Sequence, residues 1–110
     1  MVSAKIGYIC DKEIEAMKHH IIVKWNTSVP DKAAWMEKAR EAFADAEQLP
    51  GVAKCEFIPS NSDRDNRYDL MIRMELTPEG LKAWDASDAH KAWKENYSQY
   101  IEKKAIFDCD

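Results

Sequence analysis

The sequence predicts an α+β domain: one four-stranded antiparallel sheet with its helices on a single face. Three observations carry that reading. Residues 68–76 alternate at the period of a strand, with Tyr68, Leu70, Ile72, Met74 and Leu76 on one side and Asp69, Met71, Arg73 and Glu75 on the other. Thr77-Pro78-Glu79 then opens a helix at once, with a capping hydroxyl, a proline at the first position and an acid in the first turn. Finally, Met17–Trp25 and Ser87–Trp93 each set a histidine at the edge of an element that otherwise reads as core.

The remaining elements follow in order. His19 to Trp25 reads as the first strand, with His19, Ile21, Val23 and Trp25 on one face and His20, Ile22 and Lys24 on the other. Pro30 to Leu49 reads as a helix. Pro30 suits its first turn, Asp31 complements the positive end of its dipole, and Trp35, Ala39, Phe43 and Ala46 form an apolar stripe. Pro50-Gly51 stops it. Val52 to Ile58 is a second strand with Cys55 and Phe57 inward, and Pro59 to Arg67 is a polar loop. The helix that follows Leu76 ends near Ala86. Ser87 caps a longer helix reaching about Lys104, with Trp93 and Tyr97 inward, and Ala105 to Cys109 is a short last strand.

Strand, helix, strand, strand, helix pair, strand is the split βαβ, ferredoxin-like order. The sheet face away from the helices carries Ile22, Ile58, Met71 and Ile106 among charges. A half-apolar face of this kind is usually covered by a second copy. The expected assembly is therefore a homodimer whose two sheets meet face to face, a dimeric α/β barrel. Residues 17–110 make up this domain. Residues 1–16 read as an N-terminal extension, in which Lys5 to Cys10 has strand character and Asp11 caps a turn of helix.

Composition narrows the function classes. The chain has 110 residues, 45% hydrophobic and 33% charged, which suits one folded domain with one core. Its net charge is −4 and no basic stripe is present, so nucleic acid is not an expected partner. No apolar run approaches the ~20 residues that span a bilayer, so no membrane partner is expected. Cys10, Cys55 and Cys109 are odd in number and form no Cys-x-x-Cys pair, which argues for reduced thiols in a cytoplasmic protein. Asn61, Asp63, Asp65 and Asn66 have part of a calcium-loop pattern, but the turn glycine and closing glutamate are absent. No metal and no cofactor is expected.

Several of these stretches are shared with one known family. They are Lys18-His19 leading a strand of Ile and Val, Leu49-Pro50-Gly51-Val52 between helix and strand, and Tyr68 opening the third strand. Ala89-His90-Lys91-Ala92-Trp93 on the last helix and Phe107-Asp108 near the end complete the set. Over about residues 17–108 the chain resembles the stress-responsive α/β-barrel (Dabb) domain. That family includes a polyketide cyclase that closes a ring by aldol chemistry. The resemblance places its two catalytic histidines on His19 and His90, and its substrate-contacting tyrosine on Trp84. An indole offers one N–H donor where the tyrosine offers an ionisable hydroxyl. The family's His-Pro-Ala-His is Ser87-Asp88-Ala89-His90 here.

Three functions stay open on the sequence. The first is binding of a small, mostly apolar organic ligand between sheet and helices, with Trp84, Trp93, Ile21, Val23, Phe43 and Ile72 as its contacts. The second is a cofactor-free cyclase or isomerase acting on a carbonyl compound, with His90 as base and His19 as helper. His90 lies in the first turn of a capped helix, where the dipole and burial favour a neutral imidazole able to accept a proton. The third is a structural, stress-associated assembly subunit. Each residue also has a plain alternative. His90 could bond a local backbone group, His19 could fill space, His20 points to the expected dimer interface, and Trp25, Trp35, Trp84 and Trp93 could all be core.

Overall fold

Alternation places Ile21, Val23 and Trp25 on one side of the first strand, and the sheet is built around that strand. The computed structural model describes residues 16–110. Strand β1 (Met17–Trp25) lies between β3 (Leu70–Leu76) and β4 (Ile101–Cys109), and β2 (Val52–Pro59) flanks β3. All pairings are antiparallel, in the order β2-β3-β1-β4. Helices α1 (Lys32–Ala42), α2 (Pro78–Ala86) and α3 (Asp88–Tyr97) cover one face. This is the ferredoxin-like arrangement expected from the order of elements. The strand expected over Lys5 to Cys10 and the Asp11 cap lie outside the described residues.

Each helix starts where a side chain can satisfy its first amides. The Asp31 carboxylate accepts from Ala34 N at 3.1 Å, and the Thr77 hydroxyl accepts from Gly80 N at 3.0 Å. The Ser87 hydroxyl accepts from His90 N at 3.0 Å and donates to Trp84 O at 2.7 Å, so one residue ends α2 and begins α3. Because Asp31 is the cap, Pro30 precedes α1 rather than opening it. The α-helix also ends at Ala42 rather than Leu49. Ala44–Gln48 continues as a 3-10 turn that still buries Phe43 and Ala46.

The last helix departs further from expectation. It stops at Tyr97, a 3-10 turn covers Ser98–Tyr100, and β4 begins at Ile101. Asn26 is the physical reason: its amide Nδ2 donates to Gln99 O at 2.7 Å and its backbone N to Tyr100 O at 2.8 Å, which leads the chain into pairing with β1. The aromatic spacing that suggested a longer helix serves the turn instead, since Tyr97 and Tyr100 both pack on Trp35. The longer strand also corrects one face. Ile106 stands opposite Ile21 and so faces the helices, while Phe107 stands opposite His20 on the open side.

The core lies between the inner sheet face and the helices. Val23, Ile72, Met74, Leu76, Phe43 and Trp84 are its largest sealed side chains. Asp69 is buried at its edge, where its carboxylate accepts from Trp25 N and from the Lys32 ammonium, both at 2.8 Å. Gly51 closes the α1–β2 turn with φ +87°, and its carbonyl accepts from Thr77 N at 2.9 Å. A Cβ on Gly51 would meet Gly80 N at 2.7 Å and the Thr77 hydroxyl at 2.6 Å. Gly51→Ala therefore adds a left-handed backbone penalty to a backbone clash. Urea denaturation should show a loss of more than about 2 kcal/mol.

Candidate functional site

Four elements converge on one cleft. His19 and Ile21 rise from β1, Ile106 and Asp108 from β4, and His90 and Trp93 from α3, with Leu81, Trp84 and Asp85 contributed by α2. The cleft encloses about 370 Å³ and opens to solvent on one side, within the range of small-molecule sites. Its floor is aromatic: the Trp84 and Trp93 indoles are almost wholly buried, and both pack on Phe43 at 4.8 and 5.1 Å between ring centres.

Each imidazole in the cleft is held through its Nδ1. His19 Nδ1 lies 2.5 Å from Asp108 Oδ1, its direct cross-strand neighbour. A carboxylate accepts only, so Nδ1 carries the hydrogen. His90 Nδ1 lies 3.1 Å from the Asp85 carbonyl oxygen, which likewise requires an Nδ1–H donor. The His90 ring also rests on Trp84, 4.8 Å between centres. In the neutral form both rings thus offer Nε2 as an acceptor, and neither Nε2 bonds a protein group among the described residues.

The residues expected from sequence separate into two sets. His19, His90, Trp84, Trp93 and Ile21 meet at the cleft. Val23, Ile72 and Phe43 do not line it: Val23 and Ile72 have no exposed surface, and Phe43 sits behind the two indoles. These three back the wall rather than form it, because the indoles are wide enough to seal the layer above them. Trp25 and Trp35 pack at the opposite end of the helical layer, against Trp93, Tyr97 and Tyr100.

Asp108 escaped the sequence reading as a site residue. Reading β4 with Ile106 outward turned Asp108 outward as well, since residues two apart share a face. The signal was present: placing Ile106 inward beside Ile21 sets Asp108 opposite His19. Lys94 and Lys104, which also border the cleft, were likewise unassigned.

Other chemically active groups have structural partners. His20, on the open face, donates from Nδ1 to Phe107 O at 3.0 Å and accepts at Nε2 from Arg73 Nε at 3.3 Å. Arg73 and Lys54 both pair with Glu56, whose carboxyl they hold below its ordinary value, the Lys54 hydrogen bond most strongly. Asp63 and Asp65 of the polar loop lend charge to Lys32, whose own value is raised chiefly by its bond to Asp69. Among the described residues no three His, Cys, Asp or Glu side chains gather as a metal site. No helix among them is long and apolar enough to cross a membrane.

No protein-family model and no curated protein matches the sequence. Solved structures do share the fold. A dimeric protein of ferredoxin-like fold from Bacteroides fragilis superposes with a TM-score of 0.70 at 20% identity, over 87% of this chain and 96% of that one. A Dabb family protein from Mesorhizobium loti gives 0.67 at 14%, over 86% and 95%. A hydroxynitrile lyase from Passiflora edulis gives 0.68 at 9%, over 86% and 91%. The common property is the fold.

Three outcomes test this chemistry. Long-range 15N spectra should show the Nδ1–H tautomer for the neutral rings of His19, His20 and His90, and a dominant Nε2–H form at any of them would contradict the hydrogen bonding described. Burial, reinforced by the nearby Glu47 carboxylate, pushes the Cys55 thiol up to about 12 from an ordinary 9.0. Cys55 should therefore alkylate with iodoacetamide at pH 8 at least about tenfold more slowly than an unfolded-chain cysteine. The sign for stability follows. The folded state holds the thiol protonated, so above pH 9 the unfolded chain ionises first and stability falls as pH rises, less steeply in Cys55→Ala.

Proposed function

We propose that the chain is a Dabb-type protein whose sheet–helix cleft binds a small organic carbonyl compound and transfers a proton on it without a cofactor. The observation that carries this is the meeting of His19 and His90, far apart in sequence, on one cleft with a carboxylate behind one ring and a carbonyl behind the other. A histidine that merely fills space needs no carboxylate to fix its tautomer, whereas a proton-accepting one gains from it. In this reading His19 Nε2 removes a proton from carbon next to the ligand carbonyl. Asp108 offsets the charge that then forms on the ring, and the same Nε2–H returns the proton. The enolate left behind is balanced by the His19 imidazolium beside it, and His90 Nε2 accepts a hydrogen bond from a hydroxyl elsewhere on the ligand. The buried indoles exclude water from the reacting face.

The roles are thus the reverse of those suggested by sequence, with His19 as base and His90 as helper. The fold is shared with a hydroxynitrile lyase, which supports the reading without defining the reaction. The assembly proposed is a homodimer through the open sheet face, where Ile58 and Phe107 are exposed at 39% and 59% and Ile22, Met71 and Ala105 lie between them. Structural relatives described as dimeric support it.

Acetophenone methyl exchange in D2O, followed by NMR, tests the chemistry. The protein should accelerate exchange. His19→Gln and Asp108→Asn should each lose about 100-fold or more, and His90→Gln, whose partner hydroxyl acetophenone lacks, should lose less than about tenfold. Binding without acceleration would leave a ligand-binding protein, and no binding would remove the reading. Light scattering tests the assembly: Phe107→Glu should convert dimers to monomers, and a wild-type monomer would refute the dimer.

A further inference from the structure

We infer that His20 makes the dimer sensitive to pH: the sheet-to-sheet contact holds while this imidazole is neutral and opens when acid protonates it. This rests on the face-to-face dimer proposed above.

The strand registers lay out the open face as rows across the sheet. One row reads Glu56, Arg73, His20, Phe107, and the next reads Ile58, Met71, Ile22, Ala105. The second row is wholly apolar and crosses all four strands. His20 therefore borders the stripe that a second copy covers. The ring is buried, with Phe107 leaning on it at 5.9 Å between centres.

Both nitrogens of this ring are engaged. Nδ1–H donates to Phe107 O at 3.0 Å, and Nε2 accepts from Arg73 Nε at 3.3 Å. A guanidinium only donates and keeps its charge, so the second bond exists only with the neutral ring. Protonation sets a hydrogen on Nε2 against another N–H, and one cation against another. No carboxylate bonds the ring among the described residues. On β2, Glu56 is divided between Arg73 and Lys54. On β3, Glu75 stands between Lys18 and Lys54 in the neighbouring row. On this face β4 presents Phe107, Ala105, Lys103 and the Cys109 thiol, and no acid. Lys18, two residues from His20 along β1, adds a like charge.

A lone protomer can relieve the conflict. The Arg73 side chain is 34% exposed there and can turn into water or towards Glu56. In the dimer it is covered, and the two cations stay together without water between them. The dimer therefore favours the neutral ring more than the monomer does. By linkage, association is strongest where the ring is neutral in both states. It weakens as pH falls through the range in which the monomer takes up the proton. An imidazole commonly changes charge in the neutral to mildly acidic range, and a two-fold contact carries two such rings.

Sedimentation equilibrium at about pH 8 and about pH 5.5 tests this through the dimer Kd, which should rise at least about tenfold in the wild-type protein on acidification. His20→Asn, whose amide can reproduce the Nδ1 bond to Phe107 O, should hold the change below about threefold. Arg73→Gln should do the same, because a side-chain amide can offer the ring either a donor or an acceptor. His90→Gln should keep the full wild-type change, which separates the interface ring from the cleft. An equal wild-type Kd at both pH values, or a dependence that survives both His20→Asn and Arg73→Gln, overturns the pH inference while the dimer stands. A wild-type monomer at both pH values overturns both.

Discussion

The double clasp between β1 and β4 holds this architecture in register. Adjacent histidines on β1 point to opposite faces, and each bonds one of two adjacent residues on β4: His19 the Asp108 carboxylate on the helix side, His20 the Phe107 carbonyl on the open side. A slip of one residue would break both bonds at once and exchange the faces of every β4 side chain. Ile106 would leave the cleft, and Phe107 would be forced beneath the helices. Because β1 is simultaneously paired with β3, Ile21 opposite Ile72 and His20 opposite Arg73, the clasp also fixes the edge strand relative to the core.

The same clasp accounts for the cleft. An open space beside a core is stable only if its walls are held from behind, because protein interiors otherwise close to high packing density. Here Phe43 packs against both Trp84 and Trp93, and Ser87 pins the α2–α3 junction from which the His90 ring hangs. Leu81, Trp84 and Trp93 cannot fall into the space without losing those contacts. On the sheet side, Asp108 holds His19 against its strand. The space is therefore bounded by rings that are fixed at one nitrogen and unengaged by protein at the other.

Much of the fold was legible because its signals are local. The alternation over residues 68–76, the Thr77-Pro78 helix start and the Ser87 cap each act within a few residues, and both helices begin where these signals placed them. Strand β3 opens at Leu70 rather than Tyr68, because Asp69 turns inward to bond Trp25 N and Lys32. The errors came from contacts distant in sequence. Asn26 decides where the last helix ends by capturing carbonyls of residues 99 and 100, a contact that no window around Tyr97 contains. That single misplacement shortened β4, turned Ile106 to the wrong face and hid Asp108 and Lys104 from the site. His19 and His90 were found as candidates, but what stands behind each ring depends on the β1–β4 register and the α2–α3 bend.

The two faces of β1 and β4 also have different electrostatic characters, and this matters for how cleft and assembly coexist. On the open face, Arg73, Glu56 and Lys54 form a chain of opposite charges that ends at the neutral Nδ1–H form of His20. The Glu56 carboxylate is held from both sides before any partner arrives, so covering Ile22, Met71 and Phe107 does not strand it unpaired, which would be costly. On the helix face Asp108 is closed by His19, while both imidazoles keep Nε2 unengaged by protein among the described residues. A surface whose central carboxylate is already paired suits a lasting contact with another copy. One that leaves two ring nitrogens unengaged beside an apolar floor suits a ligand that arrives and departs. Alternation along two paired strands is sufficient to keep these two characters on opposite sides of one sheet.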